Sequence, residues 1–190
     1  MKFGIFDHVD RGTAPLNEFY EDRLKLVEGY DAAGFDTYLI AEHHATPLTV
    51  APAPSVFLSA VAQRTSRIRF GPMVYVLPLY HPLRLIEEIC MLDQMSGGRF
   101  DLGVGRGVSP YELRYFGTDP AEARAIYDET LEIILLGMQN DRLTFHGKYY
   151  DFDNVPLAIH PVQKPHPPLW VGIGSTDGAV RAGSAGVNVL

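Results

Sequence analysis

The sequence predicts an α/β fold on a parallel sheet, forming a single domain over residues 1–190, and three observations predict it. Strand-like stretches alternate with helix-like ones five times, and one more strand pattern opens at Val187. The apolar run Thr37-Tyr38-Leu39-Ile40 leads into Glu42-His43-His44. Parallel sheets bind ligands beyond the carboxyl ends of their strands, so a pocket mouth would justify the desolvation cost of these groups. Third, a closed (β/α)8 barrel takes about 250 residues. A chain of 190 residues therefore reads as a TIM barrel truncated after strand five, at the start of strand six. Strands one and six are then unpaired edges. A complete doubly wound sheet of five or six strands is the structural rival.

Each element has its own signal. Residues 3–7 are strand one. Helix one runs from Asn17, a residue type suited to capping, to Ala33, with Tyr20, Leu24, Val27 and Tyr30 on one face; Gly34 ends it. Strand two is the Thr37 stretch. Helix two, residues 55–64, is apolar nearly all round and should be covered on more than one side. Strand three, residues 68–77, contains Gly71-Pro72, which predicts a bulge or bend. Pro82 opens helix three, with Leu85, Ile86, Ile89 and Leu92 inward. Gly97-Gly98 then breaks the chain before strand four, residues 99–104. Asp119-Pro120-Ala121-Glu122 reads as the start of helix four: a capping Asp, Pro first, Glu three residues after the cap. That helix continues to about Gly137. Residues 141–168 depart from the alternation, and the β-rich runs around His146-Gly147 predict a hairpin excursion. A proline run leads to strand five (169–173), a short helix (177–185) and strand six (187–190).

Composition narrows the function. Apolar content of 46% and charged content of 21% suit a soluble globular protein. The net charge of −7, with no Lys/Arg run, argues against nucleic acid as a partner. The amino terminus enters a strand pattern directly, without a signal peptide's apolar segment, and no run is long enough to span a bilayer. One cysteine, Cys90, excludes an internal disulfide framework and suits a reducing cytoplasm. Its apolar helical setting reads as a small buried hydrophobe.

Three stretches carry candidate chemistry. Neighbouring histidines on extended chain point to opposite faces, so one of His43 and His44 looks into a given pocket. An imidazole suits acid/base or hydrogen-bonding work near neutrality, whereas metal-ligand spacing is absent. Gly103-Val104-Gly105-Arg106-Gly107 lets a planar or phosphorylated ligand approach the backbone, with Arg106 as a charged fork. It is neither a Walker A loop nor a full dinucleotide fingerprint. Gly172-Ile173-Gly174-Ser175-Thr176-Asp177 passes from strand to helix, where backbone N–H groups and the Ser175 hydroxyl suit an anion. Arg124 can reach the same anion or remain a solvated surface charge. Asp177 opposes a phosphate if it points inward and otherwise serves as a cap.

These residues, in order, resemble the bacterial luciferase-like monooxygenases, flavin-dependent TIM-barrel oxidoreductases that include the luciferase α subunit. The resemblance covers the chain. It is carried by Gly34-Phe35-Asp36-Thr37 with Glu42-His43-His44, Val76-Leu77-Pro78 with His81-Pro82, Leu92-Asp93-Gln94-Met95-Ser96 with Gly98-Arg99-Phe100, and Phe116-Gly117-Thr118-Asp119.

The resemblance implies FMN, used as reduced FMNH2 from a separate NAD(P)H:flavin reductase. With O2 it would oxidise an aldehyde-like or other small organic substrate through a C4a-peroxyflavin. It further implies that Arg106, Arg124 and Ser175 hold the flavin phosphate, with Gly174 and Gly178 nearby. His43 is then the catalytic imidazole, and Met73-Val74 is a non-proline cis peptide beneath the flavin ring. A homodimer through helices two and three is implied, with His44, Glu88 and His81 as interface polar groups. Gly105 stands where luciferase has a reactive cysteine, which sets bioluminescence apart. The same scaffold also admits F420-dependent hydride transfer, a flavin-binding protein without turnover, or an inactive open barrel.

Overall fold

A computed structural model describes residues 1–189. Its parallel strands come first in β1 (Gly4–Asp7), β2 (Thr37–Ile40) and β3 (Arg69–Pro72), side by side in that order. A second run holds β4 (Tyr75–Val76), β5 (Leu102–Gly105), then β8 (Leu169–Val171) and β9 (Asn188–Val189). A parallel bridge from Phe70 to Phe100 joins the two runs, with Phe70 N–H donating to Arg99 O and Asp101 N–H to Phe70 O. The strands thus lie in chain order across the sheet. A doubly wound sheet reverses its order at a switch point, so this succession is that of a singly wound barrel wall. β3 and β5 approach so closely that a Cβ at Gly71 would overlap the carbonyl of Asp101.

The helices α1 (Leu16–Ala33), α2 (Pro54–Arg64), α3 (Pro82–Ser96), α5 (Ala123–Gln139) and α6 (Thr176–Ser184) follow the strands. Between β5 and α5 lies a short helix, α4 (Pro110–Tyr115). The core is Tyr38, Phe70, Tyr75, Leu102 and Val104 from the strands and Phe100 from the bridge before β5, packed with Leu58, Leu85, Ile86, Ile89 and Ile134 from the helices. Cys90 is fully buried there, and burial pushes its thiol up to about 12. The expected hairpin is β6 (Arg142–His146) paired antiparallel with β7 (Asp151–Pro156). Among the described residues no helix is long and apolar enough to cross a membrane.

Several expected boundaries are corrected. Asn17 does not cap α1; Pro15 precedes the helix without a side-chain cap, and Gly34 ends it in the left-handed conformation at φ 85°. Strand three is two strands, β3 and β4, and the break falls at Met73-Val74, where the peptide is cis, not at Gly71-Pro72. Asp119 does not start helix four: its carboxylate accepts from Ala121 N–H in a turn, and α5 begins at Ala123. α2 is covered on more than one side, as expected, by α1, β3 and α3, and Val56 on its remaining face is 72% exposed. Leu190 of the expected sixth strand lies outside the described residues.

Candidate active site

The carboxyl ends of the parallel strands open into one cavity of about 770 Å³, within the range of ligand clefts. His43, Met73, Val74, Arg106, Arg124, Gly174, Ser175 and Gly178 all line it. His43 follows β2, Val74 lies between β3 and β4, Arg106 follows β5, and Ser175 follows β8. The fold thus brings residues from well-separated stretches of chain to one mouth.

The rim chemistry is uneven. Arg106 is exposed and, among the described residues, its guanidinium makes no hydrogen bond or ion pair. Arg124 sits in the first turn of α5 and pairs with Asp128 one turn on, at 2.8 Å. Ser175 caps α6, its hydroxyl accepting from Gly178 N–H at 3.2 Å. Among the described residues nothing lies within 4 Å of where a Cβ on Gly174 would stand, so that wall is open to a bound group. Asp177 lies in the first turn of α6, exposed and away from the cavity lining. Arg181, from the same helix, lines the cavity as a third cation that sequence reasoning missed.

On the β2 side, His43 Nδ1 lies 3.3 Å from Glu112 Oε1, and its ring is parallel to that of His8, centroids 6.1 Å apart. His44 faces the other way, its Nε2 2.8 Å from Glu42 Oε1. Glu42 is buried and also accepts from Val76 N–H at 3.1 Å and Tyr80 OH at 2.9 Å. Burial raises its pKa, against the pull of these donors and of His44. The other expected interface groups are engaged within the chain: Glu88 accepts from Ser55 and Arg84, and His81 packs edge-on against Tyr150 and Phe152. No cluster of His, Cys, Asp and Glu among the described residues could hold a metal ion.

The glycines after β5 serve packing as well as access. A Cβ at Gly105 would overlap Val74, and one at Gly107 would lie 2.7 Å from Val76. Together the cavity offers a mixed donor and cation rim over an apolar floor, with an imidazole–carboxylate pair to one side. That arrangement fits a planar ligand carrying an anionic tail.

The family model described as luciferase-like monooxygenase matches residues 1–190. The chain belongs to the luciferase-like monooxygenase family. It is 30% identical over 193 residues to the oxygenase component of the flavin-dependent trigonelline monooxygenase of Acinetobacter baylyi, covering 100% of this chain and 53% of that protein. Monooxygenase RslO1 from Streptomyces bottropensis superposes with a TM-score of 0.94 at 32% identity, over 100% of this chain and 59% of that one. The oxygenating constituent of 3,6-diketocamphane monooxygenase from Pseudomonas putida, a type II Baeyer–Villiger enzyme solved with FMN, gives 0.88 at 26% identity, over 100% and 56%. This luciferase-like chain spans about half the length of the curated relatives it matches.

Proposed function

We propose that this chain carries the flavin-binding half of a two-component monooxygenase, binding reduced FMN and acting with O2 on a small organic substrate. One observation carries the reading: the residues expected at the flavin phosphate and at its ring all line a single cavity. The similarity to a structure solved with FMN and to an oxygenase component adds support for the flavin and for a separate reductase.

Bound there, the flavin supplies the two-electron reduction of O2, chemistry that no side chain offers. The chain's residues do the rest. Arg106 meets the phosphate with a guanidinium that has no competing partner among the described residues, and Arg124 adds a charge already shared with Asp128. Ser175 and the N-terminal end of α6 face the same anion. Val74, Met73 and Val76 line the floor and keep water from the ring. His43, on the wall of the same cavity, holds or moves a proton. Self-association through α2 and α3 belongs to the same reading. Its support is a groove lined by exposed Val56, Met91 and Met95 beside Arg84 and Glu88.

The test is an anaerobic titration of the 190-residue chain with reduced FMN, followed by admission of O2 with and without aldehyde. Saturable binding, and oxidation that His43→Ala abolishes while leaving flavin affinity nearly intact, is the expected result. No saturable binding of reduced FMN would overturn the cofactor assignment. Equal turnover in His43→Ala would remove the imidazole from the chemistry.

A further inference from the structure

Glu112 stands apart from its local sequence. Ser109-Pro110-Tyr111-Glu112 is a capping box with Pro at the first helical position, and Ser109 Oγ accepts from Glu112 N–H at 3.3 Å as that motif requires. The reciprocal half of the box is missing. Instead of reaching back to the Ser109 N–H, the Glu112 carboxylate lies 3.3 Å from His43 Nδ1, both residues lining the cavity. The carboxylate side chain is 13% exposed and the imidazole 22%, so the contact is largely shielded from water.

We infer that Glu112 is a positioning residue for His43: it accepts from Nδ1–H, fixes that tautomer, and turns Nε2 into the cavity with its lone pair free. A proton leaving a bound group would pass to Nε2, and the imidazolium so formed would face a carboxylate already in place. The inference deepens the reading of His43 as the catalytic imidazole and rests on it for its functional consequence. The tautomer itself does not depend on that reading.

The surrounding groups leave this role to Glu112. His8, from the segment after β1, stacks parallel to His43 without a hydrogen bond between the rings; its own Nδ1 is buried and unpartnered. Glu42, at the end of β2, is turned away to His44, Val76 and Tyr80. Arg106, after β5, lines the same cavity and is a donor only. Among the groups facing His43, Glu112 from α4 is the carboxylate in contact with its ring.

The experiment is 15N NMR of the histidine-labelled protein without cofactor, with His43 assigned among the seven histidines by its loss in His43→Gln. Wild type should show His43 as the Nδ1–H tautomer. Glu112→Leu, which keeps bulk but removes the acceptor, should shift it to Nε2–H, and Glu112→Gln, which retains an acceptor oxygen, should restore Nδ1–H. In turnover with reduced FMN, Glu112→Leu should lower oxidation by ~100-fold at nearly unchanged flavin affinity. An Nε2–H tautomer in wild type overturns the inference even if no variant folds, as does an unchanged His43 signal in Glu112→Leu. If His43→Ala turns over normally, the catalytic reading fails, while the tautomer measurement still decides what Glu112 does.

Discussion

Val74 occupies the space a side chain at Gly105 would need: a Cβ there would lie 3.3 Å from the Val74 Cβ and overlap its Cγ2. Val74 also reaches toward Gly172, whose added Cβ would lie 3.2 Å from Cγ1. One valine thus stands against both β5 and the end of β8. Gly105→Ala should cost about 1–3 kcal/mol through overpacking. Val74→Ala combined with Gly105→Ala should recover most of that loss in urea denaturation, since the pair is coupled. Additive costs in the double variant would contradict this packing account.

The two arginines should not be equivalent. Arg106→Ala removes a guanidinium without a partner among the described residues and should weaken reduced-FMN binding by about 10- to 100-fold, the loss of one charge-assisted contact. Arg124→Ala should cost less, because Asp128 already holds that side chain. Both losses should shrink at high salt. Titrations at two ionic strengths test the order.

Asp31 ties α1 to the turn before β3, its carboxylate accepting from the N–H groups of Ser66 at 3.0 Å, Arg67 at 3.0 Å and Ile68 at 2.7 Å. Burial raises its pKa, but these three donors outweigh burial and hold it below the usual aspartate value. A lowered carboxylate contributes stability above its unfolded pKa and loses it as pH falls through the folded one. Asp31→Ala should therefore cost about 2 kcal/mol near neutrality, and the gap to wild type should narrow below pH ~4.

Glu42 behaves in the opposite sense. Burial holds its pKa above the ordinary glutamate value, so its contribution is present in acid and is lost as pH rises through the folded pKa. Glu42→Gln can still accept from Val76 N–H and Tyr80 OH while donating to His44. Its stability relative to wild type should grow from acid to neutral pH, measured as paired urea midpoints. A flat difference would mean that the carboxylate stays charged without penalty.

If α2 and α3 bury their exposed groove against a second copy, Val56→Asp should shift the protein to monomer in sedimentation velocity while leaving the helical content of the fold intact. Wild type that sediments as a monomer at high concentration would remove this interface.

The legible parts of the fold are those with local causes. Gly34 stops α1 because a left-handed residue ends a helix cheaply, and Gly147 opens the turn of a real hairpin just after His146, the last paired residue of β6. Asp119-Pro120 misled because a capping signal and a turn signal use the same residues; here the carboxylate closes a turn. Ser109-Pro110-Tyr111-Glu112 carries a capping-box pattern that does mark a helix, α4. His8 and Arg181 carry no local signal, since only the closing of strands and helices around the cavity brings them to its wall. The pairing of His43 with Glu112 spans 69 positions of chain and is likewise tertiary.

Cys90 sits at zero exposure on the inner face of α3, its thiol kept protonated well past neutral pH. It is also the one cysteine of the sequence. Maleimide dyes or spin labels should therefore pass over the native protein, because the thiolate they attack is neither formed nor reachable. A cysteine introduced at an exposed site such as Tyr111 or Val180 becomes a single addressable handle. Two such cysteines together would report a distance in solution without first removing a native thiol.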